Sequence, residues 1–153
     1  MCSGAGAALG PGNVRQIERA TLCLMNAERS AHGLARLHAN RQLRLAAVRH
    51  SREMVRDRYF EHTSASGESF DDRIRQTGYL RGVRSWSVGE NIAWGVGPDA
   101  TPRAIVRVWM NSPPHRQAIL SSGFRGVGVG VAAGNPRSGS GGATYTADFG
   151  SRT

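Results

Sequence analysis

Residues 126–131 read Gly-Val-Gly-Val-Gly-Val. Side chains of an extended strand alternate between its two faces, so this run sends every valine to one side. A loop of Gly, Ser, Asn and Pro covers residues 134–142, and Thr144-Tyr145-Thr146-Ala147-Asp148-Phe149 follows as the returning strand of a hairpin. A sheet with one apolar face must bury it against other elements. The remainder of the chain has to supply them.

Helical periodicity appears twice in the first half. Ile17, Ala20, Leu24, Ala27 and Ala31 recur at three- and four-residue steps, with Asn13 as N-cap and Gly33 just past the last apolar position. A second helix is expected from Asn40 to Arg58, where Leu43, Ala47, His50 and Met54 share a stripe. His50 then faces inward, where a lone histidine is more often a hydrogen-bonded core residue than a ligand. His32 and His38 fall in the connection between the helices. Ser69 can cap a short helix ending near Gly78. Residues 79–88 read as irregular, and Glu90 to Trp94 as a strand. Thr101-Pro102 opens a further helix with Ile105, Val108 and Trp109 on its apolar face. Ser112-Pro113-Pro114 ends it, and a turn of helix from His115 to Leu120 follows. The expected class is α+β, an antiparallel sheet flanked by helices. At 153 residues the chain makes one domain over 13–153, preceded by a Gly/Ala-rich flexible tail over 1–12.

The net charge of +9 comes from arginine alone, since the chain has no lysine. Arginine forks suit carboxylates and phosphates, so anionic surfaces, lipid headgroups or envelope polymers are expected to attract the protein. The arginines are scattered from Arg15 to Arg152 without interleaved aromatics, which argues against nucleic acid. No window reaches the ~18 apolar residues of a membrane helix. Met1-Cys2-Ser3-Gly4 reads as an added start on a trimmed chain. Two cysteines, Cys2 and Cys23, suggest one disulfide tying the tail to the first helix, hence an oxidising compartment. Two free thiols, or a lipid-bearing Cys2, are the competing readings.

Several chemistries are missing by inspection: the His-Glu-x-x-His zinc helix, the Cys-x-x-Cys pair, the phosphate-binding Gly-x-x-x-x-Gly-Lys loop and the Gly-x-Ser-x-Gly elbow. Gly128 to Ala133 fits a relaxed dinucleotide fingerprint but sits inside a strand rather than after one. What remains is His62, Glu90 and His115. Two imidazoles and a carboxylate suit a borderline cation such as zinc, and they are also acid/base groups. No two of them share a helix face.

Phe60-x-His62, Gly89-Glu90-Asn91-Ile92-Ala93-Trp94 and Trp109-x-x-Ser112-Pro113-x-His115-Arg116 together resemble the CAP superfamily: cysteine-rich secretory proteins, antigen 5 and pathogenesis-related class 1 proteins. The likeness is to its bacterial secreted branch. Asn26-x-x-Arg29, Ala47-x-x-His50-Ser51 and the terminal strand from Tyr145 to Gly150 fit as well, so the resemblance covers about residues 14–151. It implies a three-layer α-β-α sandwich with a central antiparallel sheet and one open cleft lined by two histidines and two acids. His62 and His115 match the histidines and Glu90 the first acid. Ser112 stands where the second acid belongs, beside Asn111. By the same resemblance, zinc is held between His62 and His115 in a weak, open site, with Glu90 binding or steering water. Three functions are then expected to compete. One is a secreted, monomeric binding module for lipid, sterol, envelope polymer or protein. The second is a metal-assisted hydrolase of peptide or cell-wall bonds, with Glu90 as general base or Ser112 as an alternative nucleophile. The third is a structural module whose polar cluster merely satisfies itself.

Overall fold

The computed structural model describes residues 1–153. Helix α1 spans Val14–Ala31, strand β1 His38–Ala39, α2 Arg41–Asp57, α3 Phe70–Gln76, β2 Trp86–Gly95, α4 Pro102–Met110, α5 Pro113–Ile119, β3 Gly126–Ala133 and β4 Ala143–Arg152. The four strands form one sheet in the order β1-β3-β4-β2. β4 is antiparallel to both neighbours, while the two-residue β1 runs parallel to β3.

The two faces of this sheet differ in kind. Val127, Val129 and Val131 of β3 and Tyr145, Ala147 and Phe149 of β4 point to one side. There they meet Ile17 and Met25 of α1 and Ile105 and Trp109 of α4 in the main core. Trp109 donates its indole N–H to the Ile92 carbonyl at 3.1 Å, so its burial leaves no polar atom stranded. The opposite face carries Gly128, Gly130, Thr144, Thr146 and Asp148, and α2 lies on it. A Cβ on Gly128 would stand 1.9 Å from the Arg44 nitrogen, and one on Gly130 2.2 Å from the Val48 nitrogen. The glycines therefore let a helix backbone touch a strand backbone. Ser51 of α2 uses that approach to donate to the Gly130 carbonyl and to meet Thr146 Oγ1, both at 2.8 Å. A smaller apolar cluster, Leu43, Ala46, Ile74 and Tyr79, fills the space between α2 and α3.

Local chemistry accounts for most helix ends. Asn40 accepts from Leu43 N–H, Ser69 closes a capping box with Asp72, and Thr101 accepts from Ala104 N–H. Asn13 occupies the first cap position but does not cap α1; its Oδ1 accepts from Gly10 N–H. Four expectations are corrected. The strand expected from Glu90 begins at Trp86, because β4 pairs with it out to Arg152 and tertiary pairing outruns local propensity. Val108 is 55% exposed, and Val106 takes its place in the core beside Ile105 and Trp109. Pro113 and Pro114 do not merely end a helix: they open α5, where a missing N–H costs nothing. The connection holding His38 contains β1, which pairs only with Gly126 and Val127.

Cys2 and Cys23 are bonded, closing a span of 21 residues onto α1. In the chain-entropy account such a loop contributes roughly 3 kcal/mol. Residues 1–12 hold no helix or strand, yet Ala5 is buried and its carbonyl accepts from Arg103 N–H at 2.8 Å.

Gly130→Ala is expected to destabilise by about 3 kcal/mol in urea denaturation, because the new methyl meets backbone that cannot step aside. Gly6→Ala, where a Cβ meets nothing within 4 Å, is the control and should change stability by no more than about 0.5 kcal/mol.

Candidate functional site

β2 is an edge strand, and consecutive residues on it face opposite layers. Glu90 turns toward α2 and α3. Asn91 turns toward α5, where its amide donates to the His115 carbonyl at 3.0 Å. One dipeptide therefore governs both histidines: Glu90 orients the ring of His62, and Asn91 anchors the backbone of His115. The positive charge His62 would carry is close enough to help depress His115.

The Glu90 side chain has no exposed surface, and neither does that of Arg73 from α3. Arg73 grips both carboxylate oxygens, at 3.2 and 2.9 Å, and reaches the His62 carbonyl at 2.7 Å and Ser64 Oγ at 3.0 Å. His62 donates from Nδ1 to Glu90 Oε1 at 2.9 Å, on a side chain that is 48% exposed. His50 Nε2 lies 3.7 Å from the same oxygen but donates instead to the Glu61 carbonyl at 2.8 Å. His50 is thus a core residue supporting the loop that carries His62. Burial pushes its pKa down and keeps it neutral, against the pull of Glu90.

Asp148 of β4 is registered directly opposite Glu90. It has no exposed surface, and neither of its oxygens finds an N–H or hydroxyl donor. Burial raises its pKa well above the ordinary carboxylate range, and the charge of Glu90 raises it further. Two carboxyls this close cannot both ionise in a dry interior. Asp148, with the raised pKa, is the one that keeps its proton. Burial alone would also raise Glu90, but the bonds from His62 and Asp148 and the charge of Arg73 outweigh it, and its pKa falls. The cluster is one anion, Glu90, held by the Arg73 cation and the His62 N–H, with the neutral Asp148 across the strand pair.

His115 is pushed down by burial first and by His62 second, so it stands neutral near pH 7. Its Nδ1 is buried without a partner. That orphan nitrogen, and the Nε2 left free on His62 once Nδ1 is taken, are the donors that fit a cation such as zinc. The fit is to two nitrogens only, since no three His, Cys, Asp or Glu side chains gather closely enough to hold a metal. Ser112 caps the start of α5 in position but makes no side-chain cap bond. Asn111 is exposed, and the depression it lines with Pro113 and Arg116 contains none of His62, Glu90 or His115. Sequence reasoning missed Arg73, Asp148 and the role of Asn91. No local signal marked them, because their contacts arise only from long-range strand pairing and helix packing.

Comparison with known proteins bears on the family and the fold. Residues 22–149 match the cysteine-rich secretory protein family, CAP. The uncharacterized protein YkwD of Bacillus subtilis (strain 168) is 36% identical over 120 residues, covering 78% of this chain and 44% of YkwD. The uncharacterized membrane protein YlbC of the same organism is 38% identical over 116 residues, 74% of this chain and 31% of YlbC. The chain thus spans less than half the length of either relative. An extracellular protein containing an SCP domain from Bacillus anthracis str. Ames superposes with a TM-score of 0.73 at 31% identity, over 92% of this chain and 43% of that one.

Arg73→Met is expected to cost about 3–5 kcal/mol, because it strands the Glu90 charge in the interior. Asp148→Asn should fold with near-native stability, since a neutral amide replaces a protonated acid of the same shape. It should also change the pH dependence. An unfolded Asp releases its proton near pH 3.9, whereas the folded one holds it to higher pH. Raising pH above about 4 therefore favours the unfolded wild type through this residue. Urea denaturation between pH 4 and 8 should show that component of the slope vanish in Asp148→Asn; an unchanged slope would mean Asp148 is ionised when folded.

Proposed function

The chain belongs to the cysteine-rich secretory protein family, CAP, and on that premise we propose that it is an extracellular binding module whose ligand site is the cleft between His62 and His115. The disulfide favours an oxidising compartment, and no helix is long and apolar enough to cross a membrane. A similar solved protein, that of Bacillus anthracis, is described as extracellular.

The observation that carries the reading is the state of the two imidazoles. Each keeps one nitrogen without a protein partner, while the carboxylate behind them is fully engaged. His62 Nε2 and His115 Nδ1 would hold zinc or another borderline cation, which would supply a Lewis-acidic centre with positions open to an exogenous ligand. Glu90 would act behind the site, fixing the tautomer of His62 through Nδ1 as carboxylates do behind metal-bound histidines. Exposed Phe60, two residues from His62, offers an apolar contact beside the site. The arginine-rich surface adds attraction for anionic envelope polymers.

A hydrolytic role asks more of Glu90 than this geometry favours. A general base needs a lone pair facing the attacking water, within hydrogen-bond reach. Glu90 is sealed, and its oxygens already accept from Arg73 and His62. For the same reason Glu90→Gln is a poor probe of function, since it leaves Arg73 charged and unpaired.

Zinc chloride titrated by calorimetry is expected to bind at pH 7.5 and to weaken about tenfold or more at pH 5.5, because a protonated imidazole has no lone pair for a metal. His62→Gln should weaken binding at pH 7.5 while the protein stays folded. Equal affinity at both pH values, or in the variant, would remove the two histidines from the site.

A further inference from the structure

Strand β1 stops after two residues, and that leaves most of β3 without a neighbour on one side. His38 N–H donates to the Arg125 carbonyl and Asn40 N–H to the Val127 carbonyl, each at 2.9 Å. The odd-numbered residues of β3 therefore present their backbone groups to this edge, while the even-numbered ones pair with β4. β3 runs on to Ala133, whereas the chain leaves β1 at Ala39 and turns into α2. Val129 and Val131 thus turn N–H and C=O toward the space between α1 and α2, and no other backbone group receives them. Unpaired main-chain groups beneath a protein surface need a partner, from water or from another chain.

The space is a groove of about 550 Å³ floored by Val127, Gly128 and Val129. A second hollow, of about 670 Å³, continues along the same edge at Val131 to Ala133. Leu22 of α1 and Leu45 of α2 make apolar walls for the first. Four arginines line it, Arg15, Arg19, Arg41 and Arg44, with a single acid, Glu18. That acid is already taken: Arg44 holds it at 2.7 and 3.1 Å and Arg15 at 3.3 Å. The Glu18–Arg44 pair joins α1 to α2 and so sets the width of the groove without any ligand. Arg19 and Arg41 are exposed, and no carboxylate pairs with either.

We propose that this groove binds an extended acidic peptide, which lengthens the sheet beyond β1 by pairing its backbone with Val129 and Val131 and placing its carboxylates against Arg19 and Arg41. An alternating row of donors and acceptors matches a polypeptide main chain, the basis of recognition by strand addition. A fatty acid or a polyphosphate would answer the arginines and leave that row unmet. Natural sheet edges are usually blunted by charge, bulges or cover. Here the two helices flank the edge, the Glu18–Arg44 pair ties them together and Leu9 to Pro11 line the Val131 end, which leaves a narrow channel suited to a strand-shaped occupant. The site lies on the β1 edge of the sheet, away from His62 and His115 on the β2 edge, and does not depend on the ligand proposed for them.

The test uses the intact protein and a fluorescein-labelled peptide of sequence Ala-Asp-Asp-Val-Asp-Asp-Val, which carries carboxylates on both faces of a strand and is amidated at its C-terminus, followed by fluorescence anisotropy. Saturable binding is expected, with Val129 and Val131 amides gaining protection from hydrogen exchange in the complex. The Arg19→Ser/Arg41→Ser double variant should bind at least about tenfold more weakly while melting like the parent, since neither side chain makes a bond within the fold. A peptide N-methylated at alternate residues keeps its charge but cannot pair, and should also lose about tenfold against the unchanged protein. His62→Gln should bind the peptide as the parent does. The proposal fails if the methylated peptide binds as tightly as the free one, or if polyphosphate at equal charge displaces the peptide and gives the same amide protection. Either result would make the groove an anion patch rather than a strand site.

Discussion

Glu90 and Arg73 meet at 2.9 Å with no solvent on either side chain. Charges removed from water in this way are tolerated only when paired and fully hydrogen-bonded. The environment supplies most of that: Arg73 uses further donors on the His62 and Glu68 carbonyls and on Ser64, leaving only its Nε without a partner, while His62 donates to Glu90. α3, the loop after α2, β2 and β4 all converge on this ion pair. The orientation of His62 is a consequence of it. His62 is therefore anchored on its Nδ1 side by the buried pair behind it.

The sheet makes that convergence geometrically available. Its valine-bearing face is covered by α1 and α4 in an ordinary apolar core, with Trp109 and Tyr145 handing their polar atoms to backbone carbonyls. Its other face is bare glycine and polar side chains, and α2 lies against it at backbone contact. Helix packing there relies on absent side chains, so the polar residues of β4 and β2 are sealed by proximity rather than by apolar bulk. Asp148 and Glu90 sit on that face. This is why a carboxyl with no donor of its own keeps its proton instead of shedding it to solvent.

The second histidine reaches the site by a different route. His115 belongs to the apolar layer, in the first turn of α5, and Asn91 holds its carbonyl. The alternation of β2 sends Glu90 to one layer and Asn91 to the other, and the edge position of the strand lets the two layers meet around it. The family motif Asn26-x-x-Arg29 contributes at a distance. Asn26 exchanges hydrogen bonds with Leu37, and buried Arg29 gathers the Ala35, Ile119 and Ser121 carbonyls, so the end of α5 is tied to the end of α1.

The amino-acid order alone settled the class of the fold, the main helices and the hairpin, because periodicity, capping residues and the Gly-Val alternation are local signals. The likeness of three short motifs also singled out His62, Glu90 and His115, although their spacing along the chain carried no such message. What lay beyond the sequence was everything decided by long-range pairing. The extra length of β2, the two-residue β1 and the start of α5 at Pro113 depend on neighbours far away in the chain. So do Arg73 and Asp148, whose chemistry exists only because the fold places them against a buried carboxylate. An isolated Asp148 would be an ordinary acid; beneath α2 and opposite Glu90 it holds a proton, since a dry interior admits one negative charge there and not two.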